Sequence, residues 1–581
     1  MTEHENTPPT RPESYLIAEC GNTYTNVLLF DVIGGSYRLI GRSSTATTIT
    51  APWSNLADGV HEAITRLADA TGRRLISSKK LVTPKRDDSS GVDHFIFIVS
   101  AAAPMKTILV GLSEDVSLTS ARRALHTVYA NEVDTFSLSD LRNEEEQVAA
   151  IIAHKPDLIF LTGGTDGGAD QRLASFARTV SLGVNMLVGA KQVSVLYAGN
   201  IKLREQIKQI MGEIVSLHVA ANVRPDLQTE QLDDATQMLG ELFEKLKIRE
   251  LPGIHIIREW SQYTPLSTAR AFASMVQYFA AMQPSGARVI GLDVGTESIT
   301  LISATADHAD LTIRSDLGTG HPITNLLKHN DTAAITRWIP EQISDEDMRD
   351  YIYNKALYPQ TIPMSERDLH VEQAITRELI HTAVRGTSLD WQNTDNTPAP
   401  FRMLLVRGVA FNQLPHLGQV IATVLDAIQP TGIFGIALDE LGVLPALGAL
   451  SALDPLAAVQ TLESKVLTDL GWVVIPVGKA QQGQKVLHVT IESEQQQQQY
   501  EGDVEFGTLE VFFLSAGRSK VTLKPERRFD IGLGPGKGTT IHISSGRVGL
   551  VVDARGRPLQ LPQDDVARRS LIRQWYFDMG G

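Results

Sequence analysis

Cysteine is nearly absent from this sequence of 581 residues, in which Cys20 is the only one. A single thiol cannot close an internal disulfide, so the fold is not expected to depend on an oxidising compartment. Cys20 lies in an apolar run, which predicts a small core residue. No stretch reaches the roughly 18 uninterrupted apolar residues of a membrane span, and Met1 to Glu13 lack the basic and apolar regions of a signal peptide. These absences predict a cytoplasmic protein without a membrane span.

Basic residues are also too few to balance the acidic ones. The chain has 53 Lys and Arg against 67 Asp and Glu, for a formal net charge of -14. General binding to nucleic acid needs Lys and Arg contacts with phosphate, so we do not expect it. The 15 histidines show no metal-ligand spacing such as H-E-x-x-H, and no G-x-S-x-G nucleophile elbow occurs.

A strand–turn–strand pattern occurs twice in the chain. Two apolar runs flank a small polar turn at Tyr15 to Asp31, and the same pattern restarts at Val289 to Ser303. Each occurrence predicts a β-hairpin, and the apolar strands and helical stretches between them are typical of an α/β domain. The repeat, about one domain length apart, predicts two duplicated α/β halves.

The character of the sequence changes after Asp454. Short alternating runs with frequent glycine turns predict an all-β barrel or sandwich at the C-terminus. We therefore expect four segments: a disordered tail at 1–13, a first half at 14–285, a second half at 286–455 and an all-β domain at 456–581.

The turns of the two hairpins have the composition of phosphate-binding loops. Glycine lets the backbone approach a phosphate closely, and N–H groups and hydroxyls donate to its oxygens. Asp293, at the end of its strand, is a candidate ligand for a hydrated Mg²⁺, and Gly408 ends a later strand. Two such turns facing across a cleft would clamp one polyphosphate; the alternative is two unrelated tight turns. The candidate phosphate-binding residues are Gly21, Asn22, Thr23 and Thr25 in the first turn, and Gly295, Thr296, Ser298 and Thr300 in the second.

A third glycine-rich loop follows the apolar run at Asp157 to Leu161. The carboxyl edge of an α/β sheet is where ligands bind, so this loop is a candidate cofactor contact. The alternative is a tight strand-to-helix turn with Asp166 as the helix cap. Asp166 is also the one candidate for a catalytic base. The loop consists of Gly163, Gly164, Thr165, Asp166, Gly167 and Gly168.

The paired turns resemble the two phosphate motifs of the actin/Hsp70/sugar-kinase (ASKHA) superfamily. Further segments, in their order along the chain, resemble the glutamate mutase accessory family, the MutL-type proteins encoded beside adenosylcobalamin-dependent mutases. These proteins are unrelated to the mismatch-repair protein of the same name. The resemblance covers Tyr15 to Leu453 and is carried by the segments at 100–106, 110–112, 121–124, 162–168, 197–200, 222–225 and 264–265.

The resemblance implies an ATP-binding cleft with Mg²⁺ and a helper role, as chaperone or reactivator, towards a B12-dependent mutase. The sequence departs from the superfamily motifs at several positions. Glu19 stands where Asp is usual, Asn26 where Lys is usual, and Arg407 replaces a glycine before Gly408. The second turn lacks its final carboxylate and carries Glu297, whose charge opposes phosphate. These departures predict a weak ATPase at most, or a pseudoenzyme.

Three functions stay open from the sequence. The first is a nucleotide-binding accessory protein that acts on a mutase or another protein partner. The second is a catalytically inactive scaffold that recruits partners through the C-terminal β domain. The third is a small-molecule kinase or phosphatase with Asp166 and Asp293 as catalytic residues, a reading weakened by the lack of an obvious second carboxylate as base.

Overall fold

The computed structural model describes residues 12–168, 171–187, 193–213, 215–385, 401–493, 495 and 499–580. The contacts divide the chain into two compact units. Unit 1 holds the described residues up to Ser100, those in Ile256–Leu311 and those from Leu317 onward, and unit 2 holds Ala101–His255 and Thr312–Asp316. Most of the predicted disordered tail, 1–11, lies outside the described residues.

Unit 1 begins with a hairpin whose first strand is buried throughout, as expected of a continuous apolar run inside a sheet. Cys20 ends this strand and is fully buried, which confirms it as a core residue. Burial, together with the neighbouring Glu19, raises the pKa of its thiol to about 12. The N-terminal elements are β1 (Ser14–Cys20), β2 (Tyr24–Ile33), β3 (Ser36–Ala46), α1 (Leu56–Thr71), β4 (Ile76–Ser77), β5 (Lys80–Leu81) and β6 (His94–Val99).

Unit 2 alternates strands and helices. Its five strands form one sheet in the order β11-β10-β9-β7-β8, in which every neighbouring pair is parallel. The sequence did not predict a separate unit, because its strands have the same short apolar runs as those of the surrounding half. The elements are β7 (Met105–Val110), α2 (Thr119–Leu125), β8 (Ala130–Phe136), α3 (Glu144–His154), β9 (Leu158–Leu161), α4 (Gln171–Met186), β10 (Ser194–Tyr197), α5 (Arg204–Met211), β11 (Ser216–Val219) and α6 (Asp233–Phe243).

The chain then builds the second sheet of unit 1. Its hairpin, β13 and β14, repeats the antiparallel pairing of β1 and β2. The elements are α7 (Ile254–Trp260), β12 (Leu266–Ser267), α8 (Thr268–Ala281), β13 (Val289–Val294), β14 (Ile299–Ala304), β15 (Ala309–Arg314), α9 (Leu326–His329), α10 (Thr332–Thr336), α11 (Asp345–Leu357), α12 (Glu366–Arg385), β16 (Met403–Arg407), α13 (Val409–Asn412), α14 (Leu417–Ile428), β17 (Gly432–Leu438) and α15 (Val443–Ser451).

The two sheets of unit 1 have the same strand order. The first runs β12-β6-β1-β2-β3, and the second runs β17-β16-β13-β14-β15 when read in the same direction. In the first sheet, β1 pairs in parallel with β6, and in the second, β13 pairs in parallel with β16. The predicted duplication of an α/β half is therefore confirmed, in the arrangement that the ASKHA resemblance implies.

Helices α8 and α15 lie against both sheets. The first packs on β13 and β14, the second packs on β1 and β6, and the two pack on each other. Their contact is very close, since a Cβ at Gly448 would lie 1.8 Å from the carbonyl oxygen of Ala271. Glycine is therefore required where these helices cross.

Replacing Gly448 with alanine is expected to lower the free energy of unfolding by about 1–3 kcal/mol, because the methyl group forces the two helices apart. Urea denaturation followed by circular dichroism would measure the loss. The matched control is Gly435→Ala, where the new Cβ would make ordinary contact with Trp472 at 3.7 Å, so a change of no more than about 1 kcal/mol is expected. Equal transitions for the two variants would contradict the prediction.

The C-terminal segment extends the second sheet. Strands β18, β24 and β21 continue it beyond β17 to eight strands, and a separate sheet has the order β20-β19-β22-β23. The elements are α16 (Pro455–Glu463), β18 (Thr468–Ile475), β19 (Lys485–Ser493), β20 (Gln499–Glu505), β21 (Leu509–Phe512), β22 (Arg518–Pro525), β23 (Thr539–Ser544), β24 (Gly549–Asp553) and α17 (Asp565–Asp578).

These C-terminal sheets confirm the predicted β-rich character. Residues of both sheets, such as Val474 and Val489, share one hydrophobic core, as in a sandwich; a closed barrel is not found among the described strands. The segment also contains helix α17, which the sequence reading missed although its buried residues Ile572, Trp575 and Tyr576 have the i, i+3, i+4 spacing of a helix. Among the described residues, none of the helices combines the length and the apolar character that crossing a bilayer requires.

Candidate functional site

The two predicted phosphate turns have matching geometry. In the first, the N–H of Gly21 donates to the carbonyl of Tyr24 at 3.0 Å, and in the second, the N–H of Gly295 donates to the carbonyl of Ser298 at 3.0 Å. A Cβ at Gly21 would lie 2.8 Å from the Tyr24 oxygen. The first turn therefore has room only for glycine, and the duplication extends to the detail of these turns.

The structure brings the two turns into contact. The hydroxyl oxygens of Thr23 and Thr296 lie 2.7 Å apart, within one hydrogen bond. Asn22 donates from Nδ2 to the carbonyl of Ser100 at 3.0 Å. Thr25 is buried on β2, and its hydroxyl has no hydrogen-bond partner among the described residues. The two turns thus meet through one threonine hydroxyl from each.

A buried cluster of charges lies beside these turns, at the ends of three strands and just after a fourth. The guanidinium of Arg407, on β16, donates from Nη2 to Glu19 Oε1 at 2.8 Å and from Nη1 to Asp293 Oδ2 at 3.0 Å. Its Nε lies 3.9 Å from Oδ2 of Asp439. One cation therefore faces three carboxylates in a largely buried site.

Burial controls the electrostatics of this cluster. It raises the pKa of Asp293 and of Asp439, in each case against the opposing effect of Arg407. The carboxylates of Asp293, Glu19 and Asp439 outweigh burial and raise the pKa of the Arg407 guanidinium. Arg407 is the positive charge on which the ionised carboxylates depend.

Asp439 is the member of the cluster that sequence reasoning missed. It directly follows β17, and its two oxygens accept hydrogen bonds from the N–H groups of Val443 at 2.8 Å and Leu444 at 2.9 Å. These groups begin α15, whose N-terminal dipole favours a negative charge. The sequence feature that could have identified Asp439 is an apolar strand followed directly by a carboxylate.

Gly408 lies against β13, as a strand-ending glycine near the turns should. Its φ is +121°, and a Cβ there would lie 2.2 Å from the carbonyl oxygen of Val294. Only glycine fits this approach. Gly408 therefore holds Arg407, the preceding residue, at the end of Asp293's strand.

Glu297 is hydrogen-bonded to His321 within unit 1. Its Oε1 lies 2.7 Å from Nδ1 of His321 and accepts a hydrogen bond from the His321 N–H at 3.4 Å. Thr300, which stands where the usual carboxylate is missing, pairs with Asp293 across the hairpin and is buried. Glu297 therefore has a hydrogen-bond partner in the structure, and Thr300 adds no charge to the turn.

The third loop lies in unit 2, at the carboxyl end of β9, and so does not belong to the compact unit that carries the two turns. Its Gly163, Gly164 and Gly167 have φ values of +130°, +73° and +90°, which glycine adopts without strain. Gly168 closes the loop by donating its N–H to the carbonyl of Thr165 at 2.8 Å.

Two asparagines that follow the neighbouring strands hold this loop. Asn222 donates from Nδ2 to Gly164 O and to Asp166 Oδ1, both at 2.9 Å, and Asn200 Oδ1 accepts from the N–H of Gly167 at 3.2 Å. Asp166 Oδ1 also accepts from the N–H of Ile201 at 3.0 Å. These contacts give Asp166 a bracing role, and its role as a catalytic residue stays a prediction.

The arrangement suits phosphate at the turns better than a metal at Asp293. A Mg²⁺ ion needs carboxylate oxygens in near-octahedral geometry, whereas Oδ2 of Asp293 already accepts from Arg407, a cation that repels a second one. Within the part of the chain that the structure describes, no group of three or more His, Cys, Asp or Glu side chains is arranged to hold a metal ion. Asp293 as a metal ligand stays a prediction that this geometry opposes.

Comparison with known proteins identifies relatives of this chain. The family model described as MutL protein matches residues 15–466. The protein named Protein MutL from Clostridium tetanomorphum is 22% identical over 385 residues, which are 63% of this chain and 76% of that protein.

Solved structures with a similar arrangement include two proteins of different chemistry. Nucleotide-free acetone carboxylase is 11% identical, with a TM-score of 0.36 and coverage of 85% of this chain and 81% of that one. A reductive activator for a corrinoid, iron-sulfur protein is 9% identical, with a TM-score of 0.27 and coverage of 78% and 62%. At these TM-scores the likeness does not bear on function.

Proposed function

This chain belongs to the MutL protein family, and from that membership we propose that it is an accessory protein of an adenosylcobalamin-dependent mutase that binds ATP at its two turns. The observation that carries the ATP site is the meeting of the duplicated turns, with the hydroxyls of Thr23 and Thr296 2.7 Å apart. Two glycine turns that converge on one point can donate to a single polyphosphate from both sides.

The closed contact makes nucleotide binding a conformational event. Each hydroxyl has one O–H to donate, so while Thr23 and Thr296 bond to each other only one of the two can donate to a phosphate oxygen. The hydroxyls would exchange their mutual hydrogen bond for bonds to phosphate, and the turns would separate. ATP is therefore expected to open this part of unit 1, which is what a nucleotide-responsive helper protein needs.

The charge cluster favours binding without efficient hydrolysis. A general base has to be free to accept a proton from the attacking water, whereas Glu19 and Asp293 are both ion-paired with Arg407. Any divalent cation would arrive with the nucleotide and neutralise phosphate charge. Slow turnover at most is expected, with the carboxylates acting to hold Arg407 in place.

A titration of ATP with and without Mg²⁺ into the purified protein tests the site by calorimetry. Thr23→Val and Thr296→Val each remove one hydroxyl donor, and each is expected to weaken binding about tenfold, the effect of losing one hydrogen bond of about 1.4 kcal/mol. Thr522→Val is the matched control, since its hydroxyl also pairs with a second threonine, Thr540, at 3.1 Å. The control should bind ATP as the wild type does.

The same titration also tests a second candidate function, that of a scaffold that binds no nucleotide. The direct contact between the turns favours that scaffold, because it satisfies both hydroxyls without a ligand. No heat of binding from the folded wild type would overturn the ATP proposal. Equal weakening by Thr522→Val would show that binding lies elsewhere.

A further inference from the structure

Exposed apolar side chains are concentrated on the last turn of α11 and in the turn after it. Five large apolar side chains lie between residues 353 and 364, and their exposed fractions are 49% for Tyr353, 69% for Leu357, 63% for Tyr358, 56% for Ile362 and 83% for Met364. We call residues 353–364 the apolar segment. Single exposed apolar residues are common, but a concentration of this kind marks a surface that contacts another molecule.

The backbone of the apolar segment is held firmly from inside. Lys355 is buried on α11, and its Nζ lies 2.6 Å from Glu372 Oε1 and donates to the carbonyl of Thr361 at 2.6 Å. The hydroxyl of Tyr351 also donates to Glu372 at 3.0 Å. These buried contacts fix the turn between α11 and α12, so its apolar side chains are presented outward in a preorganised arrangement.

Gly320 lies between the second phosphate turn and the apolar segment. A Cβ at Gly320 would lie 3.1 Å from Cβ of Pro359, 3.0 Å from Glu297 Oε1 and 2.9 Å from the carbonyl oxygen of Thr296. The N–H of Gly320 donates to that same Thr296 carbonyl at 2.7 Å. Gly320 is therefore hydrogen-bonded to Thr296 and has Pro359 beside it, which makes it the candidate link between the turn and the apolar segment.

The flanks of the apolar segment are acidic. Glu346 and Asp350 on α11 and Glu366 at the start of α12 are exposed, and none of the three has an ion pair among the described residues. Their charges would attract a basic rim on a partner and repel an acidic one. The chemistry of the occupant is thus an apolar patch bordered by Lys or Arg.

We propose that the apolar segment is the docking surface for a partner protein with a basic-rimmed apolar patch, and that nucleotide at the turns changes the affinity of that surface. The proposal rests on the proposed function, in which the partner is the adenosylcobalamin-dependent mutase. Opening of the turns displaces Thr296, and the contact at Gly320 transmits the displacement to Pro359. Docking and nucleotide are then coupled, and each changes the affinity of the other by the same factor.

The test measures the dissociation constant of the purified mutase from the same organism for the full chain, by biolayer interferometry with and without ATP. The double variant Leu357→Asp with Ile362→Asp is expected to weaken binding at least tenfold, because two apolar contacts are replaced by charges. Val566→Asp is the matched control, since Val566 is an exposed apolar residue on α17, and it should bind as the wild type does. Urea denaturation checks that all variants are folded.

A separate variant tests the coupling between nucleotide binding and docking. ATP is expected to change the affinity of the wild type for the mutase at least fivefold. Gly320→Ala adds a methyl group that would lie 2.9 Å from the Thr296 carbonyl oxygen and 3.1 Å from Cβ of Pro359, and it is expected to reduce that factor. An unchanged factor in a folded Gly320→Ala would overturn the coupling.

The outcomes separate this proposal from the proposed function. Mutase binding that the double variant leaves unchanged overturns the docking surface, while ATP titration of the same protein still supports the function. A mutase that does not bind the wild type overturns both. A double variant that changes the oligomeric state of this chain, with unaltered mutase affinity, assigns the surface to a second copy and also overturns the proposal.

Discussion

Arg407→Met is expected to lower the free energy of unfolding by about 3–5 kcal/mol, the cost of removing one partner from a buried ion pair. The methionine fills a similar volume, so the loss is electrostatic. Glu19, Asp293 and Asp439 would remain buried together without the cation that faces all three. Three carboxylates buried together cannot all stay ionised in a site of low dielectric.

Urea denaturation at pH 7 and pH 5 measures the loss of stability in Arg407→Met and how that loss depends on pH. Burial already raises the pKa of Asp293 and Asp439, so their folded forms bind protons at a higher pH than the unfolded chain does. Lowering the pH therefore favours the folded state. The loss of stability caused by Arg407→Met should be smaller at pH 5 than at pH 7. Adding Asp293→Asn to the variant should restore part of the stability, because it removes one of the uncompensated charges.

The control for this prediction is an ion pair of the same residue types on the surface. Arg349 pairs with Asp345 at 2.8 Å, with side chains that are 43% and 59% exposed, and Arg349→Met should cost no more than about 1 kcal/mol. A loss of that size for Arg407→Met, independent of pH, would show that water reaches the cluster and that the carboxylates do not depend on Arg407.

The sequence predicted local features of this region better than their assembly. The two hairpins were predictable because strand, turn and return strand are adjacent in the chain and glycine has a local role in each turn. Glu19, Asp293 and Arg407 were each noted as features or departures of a motif, but their joint role was not. It arises from parallel strand pairing that brings residues hundreds of positions apart to one place, and Asp439 entered only with the structure.

The division into compact units was also beyond the pattern of the sequence. Apolar runs of four to six residues predict strands in unit 2 as well as in unit 1, but they do not say which strands pair. The five parallel strands from β7 to β11 pair only among themselves. The predicted segments at 14–285, 286–455 and 456–581 therefore stay a prediction about folding units.

The C-terminal segment shows the same difficulty, because it was expected to be a domain of its own. Strand β18 pairs antiparallel with β17 of the second half. The sheet of that half therefore includes residues that lie beyond 15–466, the range that the family model matches. Asp426, on α14, connects the two parts. Its oxygens accept from Arg377 on α12 at 2.9 Å and from Arg555 after β24 at 2.8 Å.

The network around Asp426 is largely buried and contains more cations than anions. Arg555 also bonds to Asp553, at 2.8 and 2.9 Å. Although burial alone would raise the pKa of Asp553, the guanidinium groups of Arg555 and Arg557 hold it well below its usual range. Arg377 reaches the hydroxyl of Tyr576, on α17, at 3.1 Å. The C-terminal helix is thus fastened to the second half by charges that depend on one another.

Asp426→Asn is expected to lower the free energy of unfolding by about 3–5 kcal/mol, because it leaves the buried guanidiniums of Arg377 and Arg555 without their shared counter-ion. Asp565→Asn, which breaks exposed pairs on α17, should cost no more than about 1 kcal/mol. Circular dichroism and tryptophan fluorescence would follow the urea transitions. Both signals of Asp426→Asn should shift together, since the C-terminal segment and the second half share one core. A shift in one signal alone would show that the segment unfolds separately, as a domain of its own would.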